Sequence, residues 1–346
     1  MSARTYVSVY AGGMDVLAEL LDGARARGGC FHRLVVEPPW GLLVRDEAPL
    51  SLYTVLDAHT WIVHPEAEPV RIAPGDVAVV RGPTGYRLAD DPATPPQLIV
   101  EPGDVCTTAD GVRVCDELAL GVRTWGADGD GSVVVVNGTY RPEGDVSARL
   151  LAALPPVVVV RDDPNCRALL PLLAEEIGRD APGQQAVLDR LLDLVLIATL
   201  RAWFDRPEAE APAWYRAQGD PVVGPALRLL HADPARPWTV ASLASAVGVS
   251  RAALARRFAE LVGETPMAYL ADWRMDIAAD LLRTPGHTVA SVARRVGYAN
   301  AFALSAAFKR LRGVSPREYR ASPPAPAGPA TPAAEHTGPA RTPAPA

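Results

Sequence analysis

The sequence predicts an α+β protein, with a β-rich N-terminal half, a helical middle and an all-α C-terminal region. Three observations support this fold class: alternating apolar runs across residues 28–140, helically spaced apolar residues across 146–217, and an internal repeat across 239–320. Alternation with period two is typical of strands, whereas a period of 3.6 is typical of amphipathic helices. At 346 residues the chain is long enough for two domains, each with its own core.

The N-terminal half is predicted to form a β domain. Its apolar runs are short and are separated by Pro, Gly and Asp, which favour turns: FHRLVVE, GLLVR, LYTVL, TWIVH and then VRIAPGDVAVVRGPTGYRL. No long amphipathic helix interrupts these runs. We therefore expect strands to fill residues 28–140.

The middle region is predicted to be helical. Its two clearest segments are NCRALLPLLAEEIGR and QQAVLDRLLDLVLIATLRAWF. The second segment is apolar on nearly all sides, through Leu188, Leu191, Leu192, Val195, Leu196 and Leu200. A helix of this kind must be buried on more than one side. Either a second subunit or an intramolecular core would cover it, and a homodimer is the natural inference.

The C-terminal region contains two copies of one unit. TVASLASAVGVSRAALARRFAELVGETPMAYL (239–270) aligns with TVASVARRVGYANAFALSAAFKRLRGVSPREYR (288–320). Thr239 aligns with Thr288 at an offset of 49 residues, and the offset becomes 50 after a one-residue insertion. Duplication of one structural unit explains this alignment.

Each copy is predicted to be two short helices joined by a tight turn. Gly248 and Gly297 lie between the helices, where the chain must stop and turn, because glycine tolerates left-handed backbone angles. The predicted N-caps are Thr239 and Thr288 for the first helices, and Ser250 and Asn300 for the second helices. Each copy is therefore a helix-turn-helix.

The outward face of each second helix is predicted to meet DNA. At about 100° per residue, one side is apolar in both helices, through Leu254, Phe258 and Leu261 in the first and Leu304, Phe308 and Leu311 in the second. The opposite face is rich in alanine, which lets a helix lie deep in a groove. Arg256 is placed there to bind a guanine edge bidentately, a contact worth about 1–3 kcal/mol of discrimination.

Basic residues at the flanks and ends of these helices are expected to contact phosphates, namely Arg251, Arg257, Lys309, Arg310 and Arg312. The alternative is that the alanine-rich face packs on another helix. Two such helices in tandem favour DNA.

The distribution of charge supports a nucleic-acid partner. Residues 221–320 carry 14 basic and 7 acidic side chains, whereas the rest of the chain carries 20 and 33. The whole chain has a formal net charge of −6, so a basic module is attached to an acidic body. A positive excess that coincides with the repeat is typical of nucleic-acid binding.

The segment GYANAFALSAAFKRLRGVSPREYR resembles the C-terminal signature of the AraC/XylS transcription regulators, with Gly297, Phe308, Lys309, Gly313, Pro316, Tyr319 and Arg320 in the signature positions. Residues 238–282 are similar to the first half of the same module. The resemblance implies a seven-helix domain whose two recognition helices enter successive major grooves, about 34 Å apart. It also implies base-reading positions at Ala252, Ala255 and Arg256 in the first helix, and at Ala301, Phe302, Ser305 and Ala306 in the second.

The second recognition helix departs from the family pattern, since it offers few polar readers beyond Asn300 and Ser305. We expect the first helix to carry most of the hydrogen-bonded specificity and the second to add apolar and shape readout. The predicted DNA-binding residues are Arg251, Ala252, Ala255, Arg256, Asn300, Ala301, Phe302, Ser305, Ala306, Lys309 and Arg310.

The segment APGDVAVVRGPTGYRL resembles the strand-turn-strand of a cupin barrel, and its position before the DNA-binding module is similar to that of the N-terminal sensor in AraC-type regulators. The resemblance implies a cupin-like barrel that binds a small effector, or only transmits dimer contacts. A metal-dependent cupin enzyme is the alternative from a different class of protein.

Cupin metal sites use His-x-His, then Glu, then a distant His. His59 and His64 are expected on opposite sides of a straight strand, and Tyr86 stands where the later histidine is expected. Cys30 and His32 would share a strand face as part of an unusual site, or would be a buried thiol and a hydrogen-bonded histidine. We therefore predict no metal site, no catalytic residue and no cofactor.

Cys106 and Cys115 form a candidate redox pair. In CTTADGVRVC the dipeptide Asp110–Gly111 predicts a type I′ hairpin turn, which places the two cysteines directly opposite each other as a non-hydrogen-bonded pair. Such pairs have Cα atoms about 4.5 Å apart, at the short limit of disulfide reach. A strained, easily reduced disulfide would suit a redox sensor, and inert free thiols are the alternative.

These inferences divide the chain into a cupin-like sensor at 1–145, a helical linker and dimerisation region at 146–217, an AraC-type DNA-binding domain at 218–321 and a disordered Pro/Ala-rich tail at 322–346. The expected function is sequence-specific, DNA-binding regulation of transcription, without enzyme activity. The expected partners are double-stranded DNA, a small effector, RNA polymerase and a second copy of the chain. Because no run of about 18 apolar residues and no signal-peptide pattern occurs, we expect no membrane partner and a cytoplasmic location.

Overall fold

The computed structural model describes residues 31–126, 131–140, 145–206 and 211–321, without the side chains of Asp145 and Ser147. Cys30 and the tail predicted at 322–346 lie outside these ranges. None of the described helices is both long enough and apolar enough to cross a lipid bilayer.

The N-terminal half is built of short strands, as predicted. The strands of the described residues are β1 (Phe31–Val36), β2 (Gly41–Val44), β3 (Leu50–Asp57), β4 (Thr60–Val63), β5 (Val70–Ile72), β6 (Val77–Arg81), β7 (Tyr86–Ala89), β8 (Leu98–Glu101), β9 (Val105–Thr108), β10 (Ala119–Gly121), β11 (Thr124–Gly126), β12 (Val133–Tyr140) and β13 (Val157–Val160). The apolar runs quoted above coincide with β1 to β7, which confirms that part of the prediction.

The strands form two mixed sheets. The seven-stranded sheet has the order β10-β11-β1-β12-β3-β6-β13, and the six-stranded sheet has the order β5-β4-β7-β2-β8-β9. The pairs β1–β11 and β2–β8 are parallel, and the other pairs are antiparallel. Buried side chains from both sheets, including Tyr53, Ile62 and Leu88, pack together as one core.

The central strands of the seven-stranded sheet are buried on both faces, because helices cover the side that does not face the second sheet. Successive residues of β6 show this alternation: Val77 and Val79 belong to the cluster shared with the helices, whereas Ala78 and Val80 belong to the barrel core. A sheet covered on both faces has nearly continuous apolar strands. The sequence VVVV at the start of β12 fits this requirement.

Twelve elements of the remaining described chain are helical. They are α1 (Asp145–Ala152), α2 (Pro164–Ile177), α3 (Gln184–Phe204), α4 (Ala213–Arg216), a 3-10 turn (Ala217–Gly219), α5 (Val223–Ala232), α6 (Val240–Ala246), α7 (Arg251–Val262), α8 (Pro266–Arg283), α9 (Val289–Arg295), α10 (Ala301–Arg312) and α11 (Pro316–Ala321). The two helical segments predicted in the middle region are α2 and α3. Seven helices, α5 to α11, make up the C-terminal region from Val223 to Ala321. The α+β fold class is confirmed.

Helix α3 packs closely on the seven-stranded sheet. The hydroxyl of Tyr140 donates to the carbonyl of Leu192 at 2.6 Å. A Cβ placed on Gly138 would lie 2.6 Å from a methyl carbon of Leu192, so glycine at this position permits the close approach. The apolar face predicted for this helix therefore meets the barrel of the same chain.

The middle region differs from the prediction in one respect. The strand β13 lies within the span expected to be helical, and it pairs antiparallel with β6 through four residue pairs, from Val157–Val80 to Val160–Val77. The seven-stranded sheet therefore extends past residue 145. A run of four valines has no helical period, and its length is typical of a buried strand.

Candidate nucleic-acid interface

The two helix-turn-helix motifs are built alike. Helices α6 and α9 each begin with a reciprocal capping box, in which the threonine at the N-cap and the serine three residues later bond to each other's backbone N–H. Helices α7 and α10 are both twelve residues long, and their N-caps are Ser250 and Asn300, whose side chains accept from the N–H of Ala253 and Ala303. All four predicted N-caps are confirmed.

The turns also match. Gly248 and Gly297 have φ angles of 76° and 77°, in the left-handed region predicted for them. Gly263 and Gly313 end the two longer helices in the same conformation, with φ of 89° and 78°. The two copies of the unit therefore agree in detail, including the glycines that end their helices.

The inner faces of the two helices are shorter than predicted. Leu254 and Phe258 are fully buried in α7, and Leu304 and Phe308 are fully buried in α10. The prediction that Leu261 and Leu311 share these inner faces is wrong, because they are 36% and 39% exposed. Leu261 and Leu311 therefore lie at the edges of the two cores rather than within them.

The predicted DNA-binding residues all lie on the accessible side of α7 and α10. Those that are exposed or half-exposed are Arg251, Ala252, Ala255 and Arg256 on the first helix, and Asn300, Ala301, Phe302, Ser305, Ala306, Lys309 and Arg310 on the second. The Arg256 side chain is 75% exposed, and its Nε lies 3.8 Å from an oxygen of Glu260. An exposed i,i+4 pair of this kind is weak, so the guanidinium is available to a partner.

Two of the arginines expected at phosphates are held by carboxylates of the same chain. Arg257 binds Asp220 through two nitrogens, at 2.7 and 2.6 Å. The hydrogen bond from Arg257 lowers the pKa of Asp220 to about 2, so this carboxylate is ionised at neutral pH. Arg312 binds Asp276 on α8. By contrast, Arg251, Lys309 and Arg310 are exposed.

Helix α8 connects the two motifs and is held at several points. Its Arg274 donates to the carbonyls of Pro234 and Arg236, at 2.7 and 2.8 Å, and lies beside the ring of Tyr298 in the second motif. Burial lowers the pKa of Arg274. Arg320 donates to the carbonyls of Leu282 and His287 from the C-terminal helix. The sequence identified Arg320 as a signature residue but gave no signal for Arg274.

Helix α1, which lies between β12 and β13 in the chain, docks on the same helix. The guanidinium of Arg149 lies 3.3 Å from a carboxylate oxygen of Asp276 and 4.8 Å from the ring centre of Tyr269. The backbone N–H of Val146 donates to Asp280 at 3.3 Å. Asp276 therefore joins a helix next to the sensor to the end of the second recognition helix. No sequence pattern indicates this contact, because its partners are 127 residues apart.

The barrel encloses a mostly apolar cavity of about 80 Å³. Its polar wall groups come from His32, Asp46, Tyr53, Asp104, Asn137 and Thr139. Burial lowers the pKa of His32, whose ring meets that of Trp125 edge to face at 5.7 Å. An apolar enclosure with a few convergent polar groups is typical of a small-molecule site.

The histidines considered for a metal site are not clustered. His59 and His64 flank the short strand β4, and His64 is buried and stacked on Tyr86. Tyr86 in turn shares a hydrogen bond of 2.5 Å with Tyr53. Among the residues with described positions, no three His, Cys, Asp or Glu side chains are grouped to hold a metal ion. The predicted Cys30–His32 pair cannot be placed, since Cys30 lies outside that set.

The cysteine hairpin differs from the prediction. A type I′ turn needs positive φ at both central residues, but of Asp110 and Gly111 only the glycine has it, at 85°. Thr107 pairs with Arg113, and the N–H of Val114 donates to the carbonyl of Cys106 at 3.0 Å. The predicted register, with the two cysteines directly opposite, is therefore wrong by one residue.

Cys106 and Cys115 are neighbours all the same, and both are free thiols. The backbone N–H of Cys106 donates to Cys115 Sγ at 2.9 Å. Burial, together with the charge of the neighbouring thiol, raises the pKa of Cys106 to about 12. Because the thiolate is the reactive form, this environment makes Cys106 a poor nucleophile at neutral pH.

Comparison with known proteins gives matches to both halves of the chain. Residues 15–205 match the family described as Cupin, and residues 243–322 match the family described as Helix-turn-helix domain. An AraC-like transcription regulator of Streptomyces lividans is 33% identical over 90% of this chain and 99% of its own length. One of Streptomyces antibioticus is 32% identical over the same shares. A crystal structure of the DNA-binding domain of AdpA with a target DNA is 33% identical over 30% of this chain and 92% of that one, with a TM-score of 0.28.

Proposed function

The chain belongs to the family of AraC-like transcription regulators, with a cupin domain and a helix-turn-helix domain, and we propose that it binds one DNA site with α7 and α10 together. The observation that carries this proposal is the duplicated motif itself. Both longer helices are twelve residues long, with a side-chain N-cap and a C-terminal glycine, and the exposed face of each carries small and basic side chains, joined on α10 by Phe302. Such a face fits a major groove.

Within this interface we assign different roles to different residues. Arg256 reads a base through a bidentate contact, which is worth about 1–3 kcal/mol against the wrong base. Arg251, Lys309 and Arg310 are exposed and basic, and they bind phosphates, which position the protein without reading sequence. A regulator of this kind acts where the DNA is, so we place it in the cytoplasm.

Selection of binding sites from random duplexes by the full-length protein, at one fixed salt concentration, tests the proposal. Arg256→Ala is expected to relax selection at one base position. Lys309→Ala is expected to weaken binding to all sequences and to lower the salt dependence by about one charge. Arg71→Ala serves as the matched control, because this arginine is exposed on β5, in the six-stranded sheet of the barrel. A protein that selects no sequence, or a control that behaves like Arg256→Ala, would contradict the proposal.

We further propose that the barrel senses a small effector in the cavity that carries His32 and Asp46. The support is its apolar lining with convergent polar groups. A redox signal at Cys106 and Cys115 is the second form of sensing, favoured by their contact but opposed by the raised pKa of Cys106. Binding of the selected DNA by the reduced and the mildly oxidised protein separates the two, because only redox sensing requires a change.

We also propose that α2 and α3 carry a homodimer interface. Their outer surface exposes the large apolar side chains of Leu172 and Leu194, at 53% and 49%, and that of Val187 at 44%. Val187 and Leu194 are seven residues apart and so share one side of α3, and apolar side chains grouped on an exposed surface mark an interaction site. Sedimentation of the wild type and of Leu194→Glu tests the assignment, since the charge is expected to dissociate the dimer. A monomeric wild type would contradict it.

A further inference from the structure

The two recognition helices carry different chemistry at equivalent positions. With the repeat offset of 50 residues, Arg256 of α7 corresponds to Ala306 of α10, and Ala252 of α7 corresponds to Phe302 of α10. The first helix thus has a long hydrogen-bond donor where the second has a methyl group. The second has an aromatic ring where the first has a methyl group. The duplication has therefore diverged at the positions that face outward.

Phe302 is unusually exposed. Its exposed fraction is 88%, whereas the next most exposed large apolar side chain of the described residues, Val112, is at 54%. Exposure of a phenylalanine forfeits about 1.5–3 kcal/mol relative to burying it. The other aromatic ring of the same helix, Phe308, is fully buried in the core of the second motif. A partner that covers the ring of Phe302 would explain its exposure.

The polar side chains near Phe302 are already engaged within the helix. Ser305 Oγ donates its proton to the carbonyl of Ala301 at 2.8 Å. Asn300 Oδ1 accepts from the N–H of Ala303 at 2.9 Å, which caps the helix. A bidentate contact from asparagine to adenine needs both the oxygen and the nitrogen of its amide. The cap occupies one lone pair of this oxygen and fixes the orientation of the amide, so we assign Asn300 the role of a cap rather than of a base reader.

DNA fits this face better than a protein does, because the exposed charges on the two helices of the second motif are basic. Arg294 and Arg295 end the preceding helix α9, and Lys309 and Arg310 lie in the last turn of α10. All four are exposed. A motif with these basic side chains on both of its helices matches a groove lined with phosphates.

On the edges of the bases in the major groove, the 5-methyl group of thymine is the apolar feature. We propose that Phe302 is a specificity-determining residue that recognises this methyl group. The second motif then selects its part of the operator by apolar contact, while the first motif selects by hydrogen bonds from Arg256. This inference rests on the proposed DNA-binding function and adds the base and the kind of contact.

Replacement of thymine by deoxyuridine tests the inference, because it removes the methyl group and leaves the base pair intact. The full-length protein first selects its operator from random duplexes, and the selection is repeated with Arg256→Ala to mark the positions read by the first motif. Each thymine at the remaining positions is then replaced singly. Burial of one methyl group is worth about 0.8 kcal/mol, so we expect a loss of affinity of roughly fourfold at one position.

Phe302→Ala is expected to bind the thymine and the deoxyuridine operators equally. The variant should fold, because the side chain is 88% exposed, and circular dichroism checks this. Val314→Ala is the matched control: it removes another exposed apolar side chain, 39% exposed, just beyond the same helix. It should keep the wild-type difference between the two operators.

Two results would overturn the inference while leaving the DNA-binding function intact. One is an operator whose thymines at the second motif are all replaced by deoxyuridine without loss of affinity. The other is a methyl effect that persists in Phe302→Ala. A protein that selects no operator at all would instead overturn the proposed function.

Discussion

Substitution of alanine for Gly297 is expected to be far more damaging than the same change at Gly248, although the two glycines are equivalent in the repeat. Both have φ near 77° and 76°, a conformation that costs a residue with a Cβ about 1–2 kcal/mol. Their surroundings differ. A Cβ on Gly297 would lie 2.4 Å from the carbonyl oxygen of Ala235, whereas a Cβ on Gly248 would meet no heavy atom within 4 Å.

The carbonyl of Ala235 cannot move away easily. The carbonyls on either side of it, those of Pro234 and Arg236, accept hydrogen bonds from Arg274 at 2.7 and 2.8 Å. The same guanidinium lies 2.8 Å from the position of the added Cβ. Overpacking of this kind adds about 1–3 kcal/mol. We therefore expect Gly297→Ala to lower the free energy of unfolding by about 2–5 kcal/mol, and Gly248→Ala by about 1–2 kcal/mol.

Urea titration followed by far-ultraviolet circular dichroism measures the difference, and native-state hydrogen exchange locates it. Gly297→Ala should lose protection both in its own turn and in residues 233–236, whereas Gly248→Ala should lose it in the first turn alone. Equal losses of stability in the two variants would refute the argument that contact with Ala235 distinguishes the motifs.

Three further predictions follow from contacts elsewhere. Arg257 lowers the pKa of Asp220 to about 2, so their ion pair stabilises the fold above the ordinary pKa of 3.8 and loses this effect as the pH falls through about 2. The midpoint of thermal unfolding of Asp220→Asn should therefore differ from that of the wild type at neutral pH and converge with it in acid. A difference that is constant across this pH range would contradict the assignment. Arg149→Ala should lower stability by about 1–3 kcal/mol and speed hydrogen exchange in α1, which unchanged exchange would disprove. Iodoacetamide should label Cys106 slowly until the pH is well above 9, the ordinary pKa of the thiol; rapid labelling at neutral pH would argue for a reactive cysteine.

The predictions from sequence were correct for local features in which a residue type has one usual structural role. Threonine or serine before an apolar helical run caps a helix, and the N-caps predicted at Thr239 and Thr288 are confirmed. Glycine between two helical runs indicates a left-handed turn, and Gly248 and Gly297 have that conformation. The alternating runs of the N-terminal half likewise mark real strands.

The predictions that were wrong or missing concern geometry that no local sequence pattern determines. The hairpin of Cys106 and Cys115 could have taken a two-residue or a longer turn, and Asp110 alone does not decide between them. The strand β13 is too short for its period to be recognised. Ion pairs such as Arg149–Asp276 join residues that are distant in sequence, and charged residues on a helix are most often simply solvated. Such contacts require the tertiary structure.

The two motifs also differ in how they are attached to the rest of the molecule. The core of the first motif, with Leu254 and Phe258, is continuous with the core that contains α3 and the outer face of the barrel sheet. The second motif has a core of its own around Phe308. Its link to the sensor side passes through Asp276, which holds Arg149 of α1 and Arg312 of α10 at once.

Any shift of α1 must therefore disturb a carboxylate that also positions the end of the second recognition helix. The first motif lacks such a separate link, since it is packed into the shared core. A signal from the barrel would then alter the second half of the DNA contact, which we assign to apolar readout, more readily than the half that Arg256 reads.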